Sequence, residues 1–156
     1  MNRPRIRPLL FALCVLLVVS TLGVAQADTI LYGSTGGSTG LLYRIDVTTE
    51  MVTLIGDTGF ERLGGIAFNA NGVLYGVSGG SANQSTLLTI DPTTGMATVI
   101  GLASDPNAHI DGIRFNSQGV LYGTAYQQNL AGGTLVTIDP SNANILMWIV
   151  GGSILQ

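Results

Sequence analysis

A segment of roughly 45 residues recurs along the chain, and this repetition constrains the fold more than any other feature. Four short sequences return in the same order, with steps of 43 to 49 residues between copies. They are Leu-Tyr-Gly at 31–33, 74–76 and 121–123; Ile-Asp at 45–46, 90–91 and 138–139; MVTLIG at 51–56, MATVIG at 96–101 and, loosely, ILMWIV at 145–150; and GGIAFN at 64–69 with DGIRFN at 111–116. The chain is therefore predicted to use one structural unit nearly three times.

Each recurring sequence has the composition of a short β-strand. The segments are rich in Val, Ile, Leu, Thr and aromatic residues, and Gly, Asn, Asp and Ser separate them. No stretch after residue 27 has apolar residues at helical spacing over three turns. Asp46, Asp91 and Asp139 end the Ile-Asp sequence of each unit and are predicted to initiate turns. Each unit is thus an up-down meander of strands A (GGIAFN), B (VLYG), C (LLTID) and D (MATVIG).

A four-stranded meander of this length is typical of a β-propeller blade, because one small sheet cannot bury both its faces and must stack against neighbours. The pattern G-I-x-F-N-x-x-G-x-L-Y-G, followed by L-x-x-I-D-P-x-T-G-x-x-T-x-I-G, resembles secreted bacterial propeller repeats of the NHL, YVTN and gluconolactonase-like type. The resemblance covers nearly all of Ile30 to Val150. It implies an all-β fold of four-stranded antiparallel blades and leaves the activity open, since such blades carry unrelated functions.

The units add up to about two and three-quarter blades. Residues 30–56 form a partial blade of strands B, C and D, and residues 64–101 and 111–150 form full blades. Residues 151–156 resemble the start of a further A strand. Propellers close with about four to eight blades. Three interpretations follow: a piece of a longer product, an open array, or a homo-oligomer whose copies complete one ring.

The first 27 residues are predicted to be a signal peptide. Arg3, Arg5 and Arg7 precede an apolar stretch at 9–24, and Ala25-Gln26-Ala27 presents small residues at the two positions that a signal peptidase recognises. Sixteen helical residues span about 24 Å, which is short of the roughly 30 Å hydrocarbon core. Cleavage is expected before Asp28. The protein is then secreted or periplasmic and keeps no membrane anchor.

Residues 28–156 exclude several function classes by composition. This stretch of 129 residues has three arginines, no lysine and nine acidic residues, a formal charge of −6. Nucleic acid is not an expected partner, because phosphate neutralisation requires a basic surface. Cys14 lies in the leader, so neither disulfides nor thiol chemistry serve the domain. With a single histidine, a zinc site of the usual kind is not predicted. No catalytic or metal-ligating residues are assigned, and an enzymatic activity is not the primary prediction.

The loops of one face are the candidate functional site. The A–B and C–D turns repeat almost unchanged, whereas the B–C and D–A loops on the opposite face vary, and binding usually lies in loops that vary on a constant scaffold. Glu61 and Arg62 precede one A strand, and His109 and Asp111 lie at the start of the next. These four residues are the predicted ligand-binding residues.

Two functions remain open from the sequence. The first is a binding or scaffolding protein that engages protein or glycan outside the cytoplasm and needs no cofactor. The alternatives are a lactonase-like hydrolase with a divalent cation such as Ca²⁺ in the central channel, or a non-functional fragment of a longer propeller. The gluconolactonase-like resemblance implies a metal held by carboxylates and Asn amides, for which this chain offers Glu61, Asp111 and Asn107.

Aromatic residues at repeated positions predict the packing. Tyr32, Tyr75 and Tyr122 are expected at equivalent half-buried positions between neighbouring sheets. Phe68 and Phe115 are expected to be core residues of the A strands.

Overall fold

A computed structural model describes residues 29–79, 84–127, 133–150 and 153–155. The described part of the chain is all-β, with antiparallel pairing throughout. None of these residues belongs to a helix long and apolar enough to cross a membrane. The predicted signal peptide at 1–27 lies outside the described residues.

The strands form three sheets in chain order. The first sheet has the order β1-β2-β3, the second β4-β5-β6-β7, and the third β8-β9-β10-β11-β12. The strands are β1 (Ile30–Ser34), β2 (Leu41–Asp46), β3 (Met51–Asp57), β4 (Leu63–Phe68), β5 (Leu74–Gly79), β6 (Ser85–Ile90), β7 (Ala97–Leu102), β8 (Ala108–Phe115), β9 (Leu121–Gln127), β10 (Gly133–Ile138), β11 (Ile145–Val150) and β12 (Ser153–Leu155). The predicted fold class, propeller-type antiparallel blades, is confirmed.

The aspartates that follow the C strands build the predicted turns. The Asp91 carboxylate accepts hydrogen bonds from the Thr93 backbone N–H (2.8 Å) and the Thr93 hydroxyl (2.6 Å). Gly95 completes this turn with a φ of 82°, in the left-handed region that favours glycine. Asp139 makes the same pair of bonds to Ser141. These side chains satisfy turn N–H groups that would otherwise lack a partner.

The three sheets pack face to face around two clusters of buried side chains. The cluster between the first and second sheets contains Leu42, Leu63, Leu74, Leu88 and Ile90. The cluster between the second and third sheets is larger and contains Val77, Leu87, Ala103, Ile110, Ile113, Leu121, Ala125, Val136, Ile138 and Ala143. The sheet faces at the two junctions, which would be solvated in an isolated sheet, thus bury apolar side chains against each other.

A tyrosine–phenylalanine pair repeats at both junctions. The rings of Tyr32 and Phe68 meet edge to face at 5.2 Å, and those of Tyr75 and Phe115 at 5.0 Å. The three repeated tyrosines are half-buried, as predicted. Tyr32 and Tyr75 lie between neighbouring sheets, whereas Tyr122 lies on β9 of the third sheet, against which no further sheet packs among the described residues. Phe115 is also half-buried, but Phe68 is 40% exposed, so its assignment to the core was wrong. Among the described residues, no inner strand lies beside β1 to cover the second side of the Phe68 ring.

Glycines allow the inner strands β4 and β8 to approach closely. A Cβ added at Gly64 would lie 2.6 Å from the Asp111 carbonyl oxygen, and one added at Gly65 would lie 2.6 Å from the Ile113 nitrogen. Real Cβ atoms do not make such contacts, so the Gly-Gly pair permits this backbone approach. The two inner strands are therefore neighbours, as at the axis of a propeller.

The short strand β12 pairs with β11, with Leu155 opposite Trp148. Ser153–Leu155 thus extends the third sheet by a fifth strand.

Candidate binding site at the loop face

Backbone hydrogen bonds join the first B–C loop to the first D–A loop. The Gly40 N–H donates to the Phe60 carbonyl (2.8 Å), and the Thr58 N–H donates to the Gly40 carbonyl (3.0 Å). The buried Thr58 hydroxyl also donates to the Gly40 carbonyl, at 2.7 Å. Gly40 has no room for a side chain, because a Cβ there would collide with the Phe60 carbonyl oxygen. The two loops therefore form one ordered surface.

An open depression of about 220 Å³ lies between these loops. Asp57 and Glu61 supply carboxylates, and the Asp57 carboxylate accepts a hydrogen bond from the Gly59 N–H at 2.9 Å. The depression is lined by Ser38, Thr39, Asp57, Gly59, Phe60 and Glu61. Hydroxyls, carboxylates and one aromatic ring are thus gathered in one solvated recess.

The backbone of Glu61 and Arg62 is held in place although both side chains are exposed. The Ser78 hydroxyl donates to the Glu61 carbonyl at 2.6 Å. The Arg62 N–H donates to the Gly37 carbonyl (2.8 Å). Arg62 has a φ of 51°, an uncommon left-handed conformation for a residue other than glycine. Such outliers concentrate at functional sites, where the surroundings hold them.

Glu61 and Arg62 do not pair with each other, although both belong to the described part of the chain. Their charges remain available to solvent or to a ligand.

His109 Nε2 lies 3.0 Å from Asp111 Oδ1. His109 lies within β8, opposite Tyr126, because the strand begins at Ala108 rather than at Asp111, where the A-strand sequence DGIRFN begins. Residues 108–110 extend the strand because they pair with residues 125–127 of β9, and the Ile110 N–H also donates to the buried Ser85 hydroxyl (2.7 Å).

The four predicted residues lie at the same end of the inner strands. The Gly79 N–H donates to the Arg62 carbonyl at 3.1 Å. A Cβ at Gly79 would lie 2.6 Å from His109 Cε1, so the glycine leaves room for the imidazole. Gly79 is therefore a shared neighbour of both predicted pairs.

The sequence identified Glu61 but not the other residues of the depression. Ser38, Thr39, Asp57 and Phe60 lie in the two variable loops, so loop variation was the available signal. Which of the loop residues face one another depends on the Gly40 hydrogen bonds, and these have no pattern in the sequence.

Within the described residues, no three or more His, Cys, Asp or Glu side chains form a group that could hold a metal ion. The chemistry that the described arrangement offers is hydrogen bonding and negative charge.

Comparison with known proteins gives a structural likeness. No protein-family model matches the chain, and no curated protein matches it. The backbone is similar to that of a periplasmic gluconolactonase of Pseudomonas aeruginosa, with a TM-score of 0.54 at 16% identity. A luciferin-regenerating enzyme matches with a TM-score of 0.48 at 15% identity, over 72% of this chain and 36% of that one.

The gluconolactonase match covers 76% of this chain but 37% of the other protein. The chain thus spans little more than a third of the length of that protein. At this level of identity the likeness concerns the fold, a propeller-like repeat of antiparallel sheets.

Proposed function

We propose that the chain is an exported propeller-type binding module whose loop-face depression takes a polyhydroxylated ligand such as a glycan. The observation that carries this proposal is the recess between the first B–C and D–A loops. It combines the Asp57 and Glu61 carboxylates with the Ser38 and Thr39 side chains and the half-buried Phe60, which also packs against the cluster between the first and second sheets.

The chemistry of the recess favours a sugar over other ligands. Carboxylates accept hydrogen bonds from hydroxyl groups, and hydrogen bonds to a charged partner are the stronger ones. An aromatic ring offers contact area to the apolar face of a sugar. The volume of about 220 Å³ is below the roughly 300–1,000 Å³ of pockets for drug-sized ligands, so it suits about one sugar residue. The two carboxylates disfavour polyanions.

Preorganisation supports the same proposal. Bonds from Gly40, Thr58 and Arg62 hold the loops, so little ordering cost falls on binding. The predicted leader at 1–27 would bring the protein to extracellular or periplasmic glycans. N-terminal sequencing of exported protein should begin at Asp28, and material beginning at Met1 would contradict export by cleavage.

Glycan titration followed by NMR or calorimetry tests the binding site. Neutral and amino sugars should bind to wild-type protein, and Glu61→Gln should weaken binding by about tenfold or more, which corresponds to about 1.4 kcal/mol. Glu50→Gln is the matched control, because Glu50 is an exposed acid in the C–D turn between β2 and β3. Equal affinity of Glu61→Gln and wild type, or no binding at millimolar sugar, would overturn the proposal.

A lactonase-like hydrolase is the second candidate, and it rests on the backbone likeness to a gluconolactonase. Glu61, Asp111 and Asn107 are the oxygen donors that this chain would contribute toward a hard cation such as Ca²⁺. Calorimetric titration with Ca²⁺ and pH-stat hydrolysis of a sugar lactone test it together. If the candidate is correct, Asp111→Asn lowers both cation affinity and hydrolysis. Absence of binding at millimolar Ca²⁺ would contradict it.

A further inference from the structure

One edge of the first sheet, along β1, is unpaired among the described residues, whereas the equivalent edge in each of the other two sheets pairs with an inner strand. In the second sheet β4 pairs with β5, and in the third sheet β8 pairs with β9. Among the described residues, no strand pairs with the corresponding edge of β1. The Val47 N–H donates to the Thr29 carbonyl (3.0 Å), and the Thr35 N–H donates to the Leu41 carbonyl (3.1 Å). Because antiparallel pairing alternates, the backbone groups of Ile30 and Tyr32 point to the open edge.

An apolar groove of about 220 Å³ follows this edge. It is lined by Ile30, Leu31, Tyr32, Ile66, Phe68 and Leu74. The exposed part of the Phe68 ring belongs to this groove, so a strand that paired with β1 would also bury an aromatic side chain. Unpaired edges beside apolar surface are templates for strand addition.

The chain itself defines the sequence that such a strand needs. β4 approaches β8 through Gly64 and Gly65, and a strand on β1 would approach β4 in the same way. It therefore needs two glycines followed by apolar residues. The sequence Gly-Gly-Ser-Ile-Leu at 151–155 has this pattern and aligns with Gly-Gly-Ile-Ala-Phe at 64–68.

Within one molecule Ser153–Leu155 does not reach this edge, so a second copy of the chain would have to supply these residues. Ser153–Leu155 lies at the outer edge of the third sheet, and the second sheet stands between that sheet and β1. Its pairing with β11 extends over three residues, which is a small contact to give up. No residue at 151–156 is charged, so no charge opposes insertion into the groove.

We propose that two copies of this chain dimerise by strand exchange, each inserting residues 151–155 beside β1 of the other. The pairing of Phe68 with Leu74 and of Ala67 with Tyr75 fixes the register by equivalence. Leu155 pairs with Leu31 of the second copy, and Ile154 pairs with Tyr32. The interface is symmetric, with the same two surfaces used twice.

Light scattering and cysteine cross-linking test the exchange on the leaderless chain, residues 28–156. Wild-type protein should be a dimer at micromolar concentration, and Ile154→Asp should convert it to a folded monomer with an unchanged circular dichroism spectrum. Leu146→Asp is the matched control, because Leu146 is 62% exposed on β11 and should leave the dimer intact.

Residues 28–156 contain no cysteine, so an introduced pair reports one contact. A Leu31→Cys, Leu155→Cys double variant should form an intermolecular disulfide under mild oxidation, whereas Leu31→Cys with Leu146→Cys should not. A wild-type monomer, an assembly that Ile154→Asp leaves intact, or equal cross-linking of both pairs would each overturn the proposal.

Discussion

The two junctions between sheets use the same parts but bury them to different extents. In the described part of the chain, the junction of the second and third sheets has ten buried apolar residues, whereas the junction of the first and second has five. The tyrosine–phenylalanine pair is present at both, with ring separations within 0.2 Å of each other, 5.0 Å and 5.2 Å. Its phenylalanine is half-buried at the larger junction and 40% exposed at the smaller.

This difference shows what an inner strand contributes to burial at a junction between sheets. The larger junction has inner strands in both of its sheets, β4 and β8, whereas the first sheet has none among the described residues. Without an inner strand in the first sheet, the contact between Tyr32 and Phe68 still forms, but the cluster of buried side chains at that junction is smaller. Repeated sequence therefore produces repeated contacts, while burial depends on how complete each neighbouring sheet is.

The largest expected effect is on buried leucines. Leu121 at the larger junction and Leu42 at the smaller are both 0% exposed. We expect Leu121→Ala to lower the free energy of unfolding by about 3–5 kcal/mol and Leu42→Ala by about 2–3 kcal/mol, because the smaller cluster borders an open groove and relaxes more easily. Urea unfolding of both variants measures this. Equal losses in the free energy of unfolding would mean that the two clusters relax to the same extent around the cavity, which would contradict this expectation.

Replacing the phenylalanine of each pair by alanine should show how much burial differs between the two junctions. Complete burial would make Phe→Ala cost about 3–5 kcal/mol, so we expect about 2–3 kcal/mol for the half-buried Phe115 and about 1 kcal/mol for Phe68. Thermal and urea unfolding should be measured at a concentration at which light scattering shows a monomer. A larger loss for Phe68 than for Phe115 would contradict the assigned burial.

The strand order and the turns could be predicted from the sequence because both depend on local chemistry. Asp91-Pro92 and the later glycine specify their turn without reference to other sheets. The burial of Phe68 could not be predicted, because it depends on whether an inner strand lies beside β1, and the described residues include none there. The recess at Glu61 was missed in part because hydrogen bonds between Gly40 and Thr58, which are 18 residues apart, bring its two loops together.

Glycine substitutions should have similar effects at the two junctions, because at each of them a glycine lies against a backbone carbonyl of the next sheet's turn. A Cβ at Gly101 would lie 2.6 Å from the Asn142 carbonyl oxygen, and one at Gly56 would collide with the Thr94 carbonyl oxygen. We expect Gly101→Ala and Gly56→Ala each to cost about 1–3 kcal/mol through overpacking. Gly37→Ala is the control, since no atom lies within 4 Å of its added Cβ. A cost at Gly37 equal to that at Gly101 would mean that the close contact at Gly101 is not what opposes the added methyl group, since the entropy of the unfolded chain favours alanine over glycine.

The smallest effect is expected from low pH, which acts on each junction through the C–D turn that lies beside it. Hydrogen bonds from the Thr93 hydroxyl and N–H lower the pKa of Asp91 from its usual 3.8, and those from Ser141 lower the pKa of Asp139. Thr94 of the first turn contacts Gly56 at the smaller junction, and Asn142 of the second contacts Gly101 at the larger. Because the folded-state pKa values are depressed, both carboxylates stabilise the fold above the unfolded pKa. This contribution is lost as the pH falls through the folded values, below about 3.9.

Urea midpoints at pH 7 and pH 3 should therefore show a smaller loss on acidification for Asp91→Asn and for Asp139→Asn than for wild type. Asp111→Asn is the comparison variant, because Asp111 is exposed, pairs with His109 and takes no part in a C–D turn. If the acid sensitivity of Asp91→Asn equals that of wild type, the Thr93 bonds do not stabilise the charged carboxylate. If Asp91→Asn and Asp139→Asn instead reduce it together but not additively, the two junctions unfold as one unit despite their unequal cores.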